Sequence, residues 1–145
     1  MSDSILVAGA TGNVGQHVVR KLLADQRSTV ALVRDKAQAE KTLGTQVKFI
    51  VGDVSQPETL STALQSARSI ICTIGARFAQ GATAEQIDYA GVKNLIEAAQ
   101  AAQIDRFVLV SSIAATQPDH PLNRFGQVLT WKFKSEELLR SSGLA

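Results

Sequence analysis

Three glycines at three-residue spacing, Gly9, Gly12 and Gly15, stand between the apolar run SILVAG and a stretch of helical periodicity. Glycine loses the most conformational freedom on folding, so such a cluster marks a place where the backbone needs unusual torsions or the close approach of another group. A strand, a turn through Gly9-Ala10-Thr11-Gly12-Asn13-Val14-Gly15 and a helix starting near Val14 form an arrangement in which free N–H groups and the helix dipole attract a phosphate. In it the first glycine permits a tight turn, the second lets the backbone approach the ligand, and the third lets the helix pack against the strand. The spacing is GxxGxxG rather than GxGxxG.

A second chemically capable residue lies near the other end. Periodicity predicts a helix from about Leu122 to Ser141, stopping at Gly143, with Phe125, Leu129, Lys132, Glu136 and Leu139 on one face. Lys132 therefore falls on the inward stripe, and an inward lysine needs a partner, because a buried unpaired charge is expensive. Cys72, the single cysteine, sits in the apolar run SIICTIG and reads as a buried filler with nothing nearby to lower its pKa. It rules out a disulfide framework and a set of thiolate metal ligands. His17 and His120 have no metal-like spacing, so no metal site is expected.

The elements that must carry these residues alternate along the chain. SILVAG, TVALVR, VKFIVGD, SIICTIG and RFVLVSS are near-continuous apolar runs separated by helical segments, the pattern of a parallel sheet covered on both faces. Ser55-Gln56-Pro57-Glu58 and Thr83-Ala84-Glu85-Gln86 read as capping boxes, the second before a long helix with Ile87, Gly91, Leu95, Ala98 and Ala102 on an apolar stripe. The 145 residues, 45% hydrophobic and 19% charged, fit one domain over 1–145 with one sizeable core. A formal charge of +2, scattered, argues against nucleic acid or a polybasic membrane tether. Met1 opens onto a polar SDS with no signal-peptide core, no membrane span is expected, and the cytoplasm or a cytoplasm-like compartment is the default.

Together VAGATGNVG, LVRD, VGDV, VKNLIEAA, RFVLVSSI and WKFKSEELLRSSGL resemble the short-chain dehydrogenase/reductase superfamily and, within it, the atypical NmrA-like NAD(P)-binding branch, over essentially the whole chain. The resemblance implies a doubly wound α/β fold of Rossmann type with strand order 3-2-1-4-5. It implies that Gly9, Thr11, Gly12, Asn13, Val14 and Gly15 line a pyrophosphate. Arg34, ending the second strand, then lies at the adenosine ribose, where arginine accommodates a 2′-phosphate and an acid binds a free hydroxyl. Asp35 follows directly but reads as the next helix cap, which favours NADP, with NAD as the alternative. Asp53 and Val54 resemble the pair that meets adenine, though Asp53 equally suits the start of the next turn. Thr73, Ile74 and Gly75 pass beside the cofactor, and Asn94 matches a helix asparagine with a structural role.

Dehydrogenases of this superfamily use a serine, a tyrosine and a lysine, the tyrosine four residues before the lysine on one helix face. Lys132 fits the lysine. The tyrosine position is Val128 and the serine position Ile113, with Ser111 and Ser112 just before it, so Ser112 remains a candidate. Tyr89, the single tyrosine, lies on another helix. Lys132 keeps three readings: ligand of the ribose hydroxyls, catalytic lysine helped by an unidentified acid, or member of a Lys132–Glu136 surface pair worth only about 0.3–0.5 kcal/mol. In the family SSGL leads into a sixth strand that is missing here, which predicts an apparently truncated domain whose fifth strand is an exposed edge open to self-association. The expectation is an NADP(H)-binding reductase-like domain without the usual Ser/Tyr pair, a dinucleotide-binding or sensing module. The alternatives are an NADPH-dependent oxidoreductase acting on a small carbonyl or activated double bond, and a domain that keeps the fold and binds nothing.

Overall fold

The computed structural model of the chain describes residues 3–145. Five strands, β1 (Ser4–Ala8), β2 (Thr29–Val33), β3 (Lys48–Val51), β4 (Ala67–Cys72) and β5 (Arg106–Leu109), form one sheet in the order β3-β2-β1-β4-β5. Every adjacent pair is parallel. Parallel neighbours cannot be joined by a tight hairpin, so helical crossovers follow, α1 (Asn13–Ala24), α2 (Lys36–Leu43), α3 (Leu60–Leu64) and α4 (Val92–Ala101), and α5 (Val128–Ser141) comes after β5. The order reverses between β1 and β4, which opens a crevice at the carboxyl edge of the sheet.

The side-chain alternation of each strand divides the core into two layers. Leu6, Leu32, Ile70 and Cys72 pack with Leu60, Leu64 and Leu95 on the face covered by α3 and α4, where Leu138 and Leu139 of α5 join them. Val7, Ala31 and Val33 face the other way, against Val19 of α1 and Ala39 of α2. All five residues of β2 are buried, which is why TVALV lacks any polar alternation.

The predicted helix over 122–141 is broken. Pro121–Arg124 forms a 3-10 turn, Gly126 (φ 63°) and Gln127 (φ 54°) take left-handed torsions, and α5 begins only at Val128. Asn123 makes this break by standing in for a helix: its Oδ1 accepts from the N–H groups of Leu129 and Thr130, donors that open α5 without intrahelical partners. Phe125 consequently leaves the inward stripe and is exposed, whereas Leu129 stays buried.

The box at Thr83 forms as expected, its N–H donating to Gln86 Oε1 and its Oγ1 accepting from Gln86 N–H. The helix it starts is not uniform, because Glu85–Gly91 winds as a π turn before α4. The box at Ser55 does not form. Both its N–H and its hydroxyl donate to Asp53 Oδ1, and Pro57–Thr59 makes a 3-10 turn into α3. Nor is the β5 edge bare at Phe107, whose N–H donates to Ala145 O at 2.8 Å while Leu144 packs on the core.

Candidate functional site

The glycine turn is shaped from below by Thr73. Its hydroxyl reaches Ala8 O (2.9 Å) and Gly9 O (3.1 Å), tying the exit of β4 to the exit of β1. A Cβ on Gly15 would stand 1.9 Å from Gly9 O and 2.8 Å from Thr73 Oγ1, so helix and strand meet only because that position is glycine. Gly9 (φ +77°) needs both the left-handed torsion and the same space. Gly12 differs. A Cβ there would touch Gly9 O at 3.3 Å and approach Arg77 Nη2 at 4.0 Å, with nothing else near. As the N-cap of α1 it offers no side chain, and the first turn carries no acidic residue, so the leading N–H groups remain available to an anion.

A cleft opens over this turn at the carboxyl edge. Gly9, Thr11, Gly12, Arg34, Asp53, Val54, Thr73, Ile74 and Gly75, all expected from the sequence, line it. Asn13, which with Val14 and Gly15 heads α1, is not among the lining side chains, and neither are Val14 and Gly15; Gly15 is buried where helix meets strand. Arg34 reaches into the cleft and its Nη2 donates to Gln80 Oε1 at 3.3 Å. Asp35 is spent elsewhere: it is the N-cap of α2, and its Oδ1 accepts from Gln38 N–H at 3.1 Å. Asp53 shares its Oδ1 with Ser55, while Val54 is held by Asn94 Nδ2, which donates to Val54 O at 2.8 Å. A Cβ on Gly91 would meet Val54 Cγ2 at 2.8 Å, which fixes how closely α4 approaches this rim.

Among the lining residues that were not anticipated, two carry polar side chains. Arg77 follows the exit of β4, and its Nη2 donates to Thr11 O at 3.4 Å, placing a guanidinium above the glycine turn. Gln80 lies three residues on, opposite Arg34. The carboxyl-edge rule itself was the available signal, since the loop that follows Gly75 leaves the sheet at that edge.

The expected catalytic set stands apart from the cleft lining. Ser111 donates its hydroxyl to Glu136, which also pairs with Arg140 at 3.0 Å. Glu136 is therefore not the partner of Lys132. That partner is Asp88, whose Oδ1 lies 2.8 Å from Lys132 Nζ, the side chains being 0% and 20% exposed. Ser112 is half-buried and Ile113, at the position of the family's serine, is fully exposed. Burial pushes the Cys72 thiol up to about 11, which leaves it an inert filler.

A doubly wound sheet with an uncapped helix terminus behind a glycine turn, in a cleft lined by two arginines, defines a dinucleotide-binding domain of Rossmann type. The chain belongs to the NAD(P)H-binding family, whose profile matches residues 9–145, and its structural neighbours include a short-chain dehydrogenase/reductase superfamily protein of Agrobacterium tumefaciens with bound NAD, at 26% identity and a TM-score of 0.74 over 94% of this chain and 44% of that one. It is 38% identical to the photosystem II assembly factor Ycf39 of Cyanophora paradoxa, over 97% of this chain and 42% of that protein. With sanguinarine reductase of Eschscholzia californica it shares 30% identity, over 99% of this chain and 68% of the relative. The solved anaerobillin reductase ChuY of Escherichia coli O157:H7 superposes with a TM-score of 0.79 at 28% identity, covering 97% of this chain and 68% of that one. The chain spans half or less of the length of several curated relatives it matches. Among the described residues no helix is long and apolar enough to cross a membrane.

Proposed function

We propose that this domain binds NADP(H) in preference to NAD(H) and acts as a dinucleotide-binding or sensing module. The observation that carries the reading is the division of labour at the end of β2: Arg34 lines the cleft, whereas Asp35 caps α2. An acid aimed at the ribose would select a free 2′-hydroxyl; a guanidinium there suits a 2′-phosphate. In this reading the pyrophosphate lies on the N–H groups that open α1, beneath Arg77. The adenine meets Val54 and the outer rim of Asp53, and the nicotinamide half lies toward Thr73, Ile74 and Gly75. The bound cofactor would supply hydride; the chain's own residues bind and orient it.

Three features favour a module over a reductase. Val128 stands where a tyrosine would donate a proton, Ser111 is engaged by Glu136, and Lys132 is engaged by Asp88. A second reading, NADPH-dependent reduction of a small carbonyl or activated double bond, draws on the similarity to sanguinarine reductase along almost the whole chain. There Ser111 or Ser112 would orient substrate, with the proton coming from water or substrate. We also propose a reducing compartment, the cytoplasm or one like it, in keeping with the single buried thiol, and self-association through the part of β5 that Ala145 does not cover.

Fluorescence titration with NADPH and NADH tests the first reading. NADPH should bind more tightly, and Arg34→Ala should weaken NADPH by roughly 10- to 100-fold while leaving NADH nearly unchanged, the range expected for losing a charge-assisted contact. Equal affinities, or equal losses for both, would overturn it. Consumption of NADPH with carbonyl substrates beyond a protein-free control, abolished by Arg34→Asp, would favour the enzyme.

A further inference from the structure

We infer that Asp88 is a positioning residue for cofactor binding, acting through the Ala76–Arg77 backbone on the guanidinium above the glycine turn; the inference rests on the NADP(H) reading. Its carboxylate is wholly buried, yet the proposed function gives it no role. Oδ2 accepts from Ala76 N–H at 3.0 Å. Oδ1 forms the ion pair with Lys132 but has no aligned hydrogen bond, and it would stand 3.7 Å from a Cβ on Gly75. Ser135 of α5 donates its hydroxyl to Asp88 O, and the neighbouring Tyr89 and Trp131 rings pack at 5.4 Å. One side chain thus joins the π turn, α5 and the exit of β4.

Stability alone is a poor reason for this pair. Two charges removed from water recover the desolvation penalty only with excellent geometry, and well-packed apolar residues often serve as well. What no apolar residue can do is accept the N–H of Ala76. That residue lies between Gly75 and Arg77, both of which line the cleft, so the carboxylate fixes the strand exit where the cofactor passes. Lys132 supplies the compensation: it cancels a negative charge that would otherwise face an anionic ligand. The π turn belongs to the same device, since such turns recur where a side chain must be aimed at a site.

The test is a double-mutant cycle with Asp88→Leu, which removes the acceptor for Ala76 N–H, and Arg77→Ala, read by NADPH titration and by competition with adenosine 2′-monophosphate, which reaches only the Arg34 end. Each single variant should raise the NADPH Kd by about tenfold, a fraction of a charge-assisted contact. The double variant should lose no more than the larger single, and adenosine 2′-monophosphate affinity should stay within about twofold. If Asp88→Leu does not fold, Asp88→Leu/Lys132→Met, which removes the stranded ammonium, replaces it in the cycle with the same expectation. Multiplying losses, or equal weakening of both ligands, would reduce Asp88 to a structural residue and overturn the inference. Failure of the wild-type chain to bind NADPH is a separate result that overturns the function and this inference together.

Discussion

Gly12 and Gly15 differ by three residues and should fail in opposite ways when a methyl group is added. At Gly15 the new Cβ would stand 1.9 Å from Gly9 O and 2.7 Å from Gly9 C, backbone atoms that cannot swing aside. Relief to an ordinary contact near 3.4 Å requires helix and turn to part by more than 1 Å. Overpacking of that kind costs about 3 kcal/mol, the upper part of the usual range. For a domain of this size that is a fall of roughly 10 °C in the thermal midpoint. At Gly12 the tightest contact is 3.3 Å, and its torsions (φ −74°, ψ 174°) are open to alanine. The loss of glycine as a helix cap and the lower unfolded-state entropy of alanine are each about 0.5–1 kcal/mol and oppose one another, so Gly12→Ala should leave stability within about 1 kcal/mol of wild type. The methyl would instead occupy the space where backbone meets phosphate, and NADPH affinity should fall by roughly tenfold or more. Circular-dichroism melts of both variants, with and without NADPH, separate the two effects. Equal loss of midpoint in both, or a Gly15→Ala protein as stable as wild type, would refute the assignment of one glycine to packing and the other to the ligand.

Further outcomes follow from other positions. Because burial raises the Cys72 thiol from 9.0 to about 11, the unfolded chain ionises first; the associated stability, about 3 kcal/mol, is fully present below pH 9 and is lost as pH rises through 11. Cys72→Ala should therefore flatten the decline of the urea midpoint over that interval relative to wild type. Asn123→Ala removes the acceptor for Leu129 and Thr130 N–H and should destabilise the domain by about 1–2 kcal/mol in urea melts, more than a surface substitution does. Gln103 holds a left-handed torsion (φ 55°) just past α4, so Gln103→Gly should raise stability by about 0.5–1 kcal/mol, measurable as a shift in thermal midpoint.

The sheet was legible because its evidence is local: five apolar runs of strand length, separated by helical segments, leave one parallel architecture. The glycine turn was legible for a related reason, as three glycines at an element boundary have few other uses. What escaped depends on side-chain contacts that periodicity does not record. The break at Gly126–Gln127 is made by Asn123 reaching forward, which helical periodicity across Phe125 conceals. Arg77 looks like any loop cation until the loop is folded over Thr11. Asp88 left a readable trace, since Asp88, Val92, Leu95 and Ala99 share a face at helical spacing and all are buried. An inward acid and the inward Lys132 could have been matched on the need of each for a partner. The π turn that sets Asp88 in place leaves no comparable mark in the residues.

The most direct measurement is a crystal structure of the chain with NADPH bound. The account predicts pyrophosphate oxygens within about 2.7–3.2 Å of the N–H groups that open α1, with the 2′-phosphate against Arg34 and Arg77 closed over the turn. A dinucleotide bound elsewhere, or a crevice between β1 and β4 filled by the protein's own side chains, would contradict it.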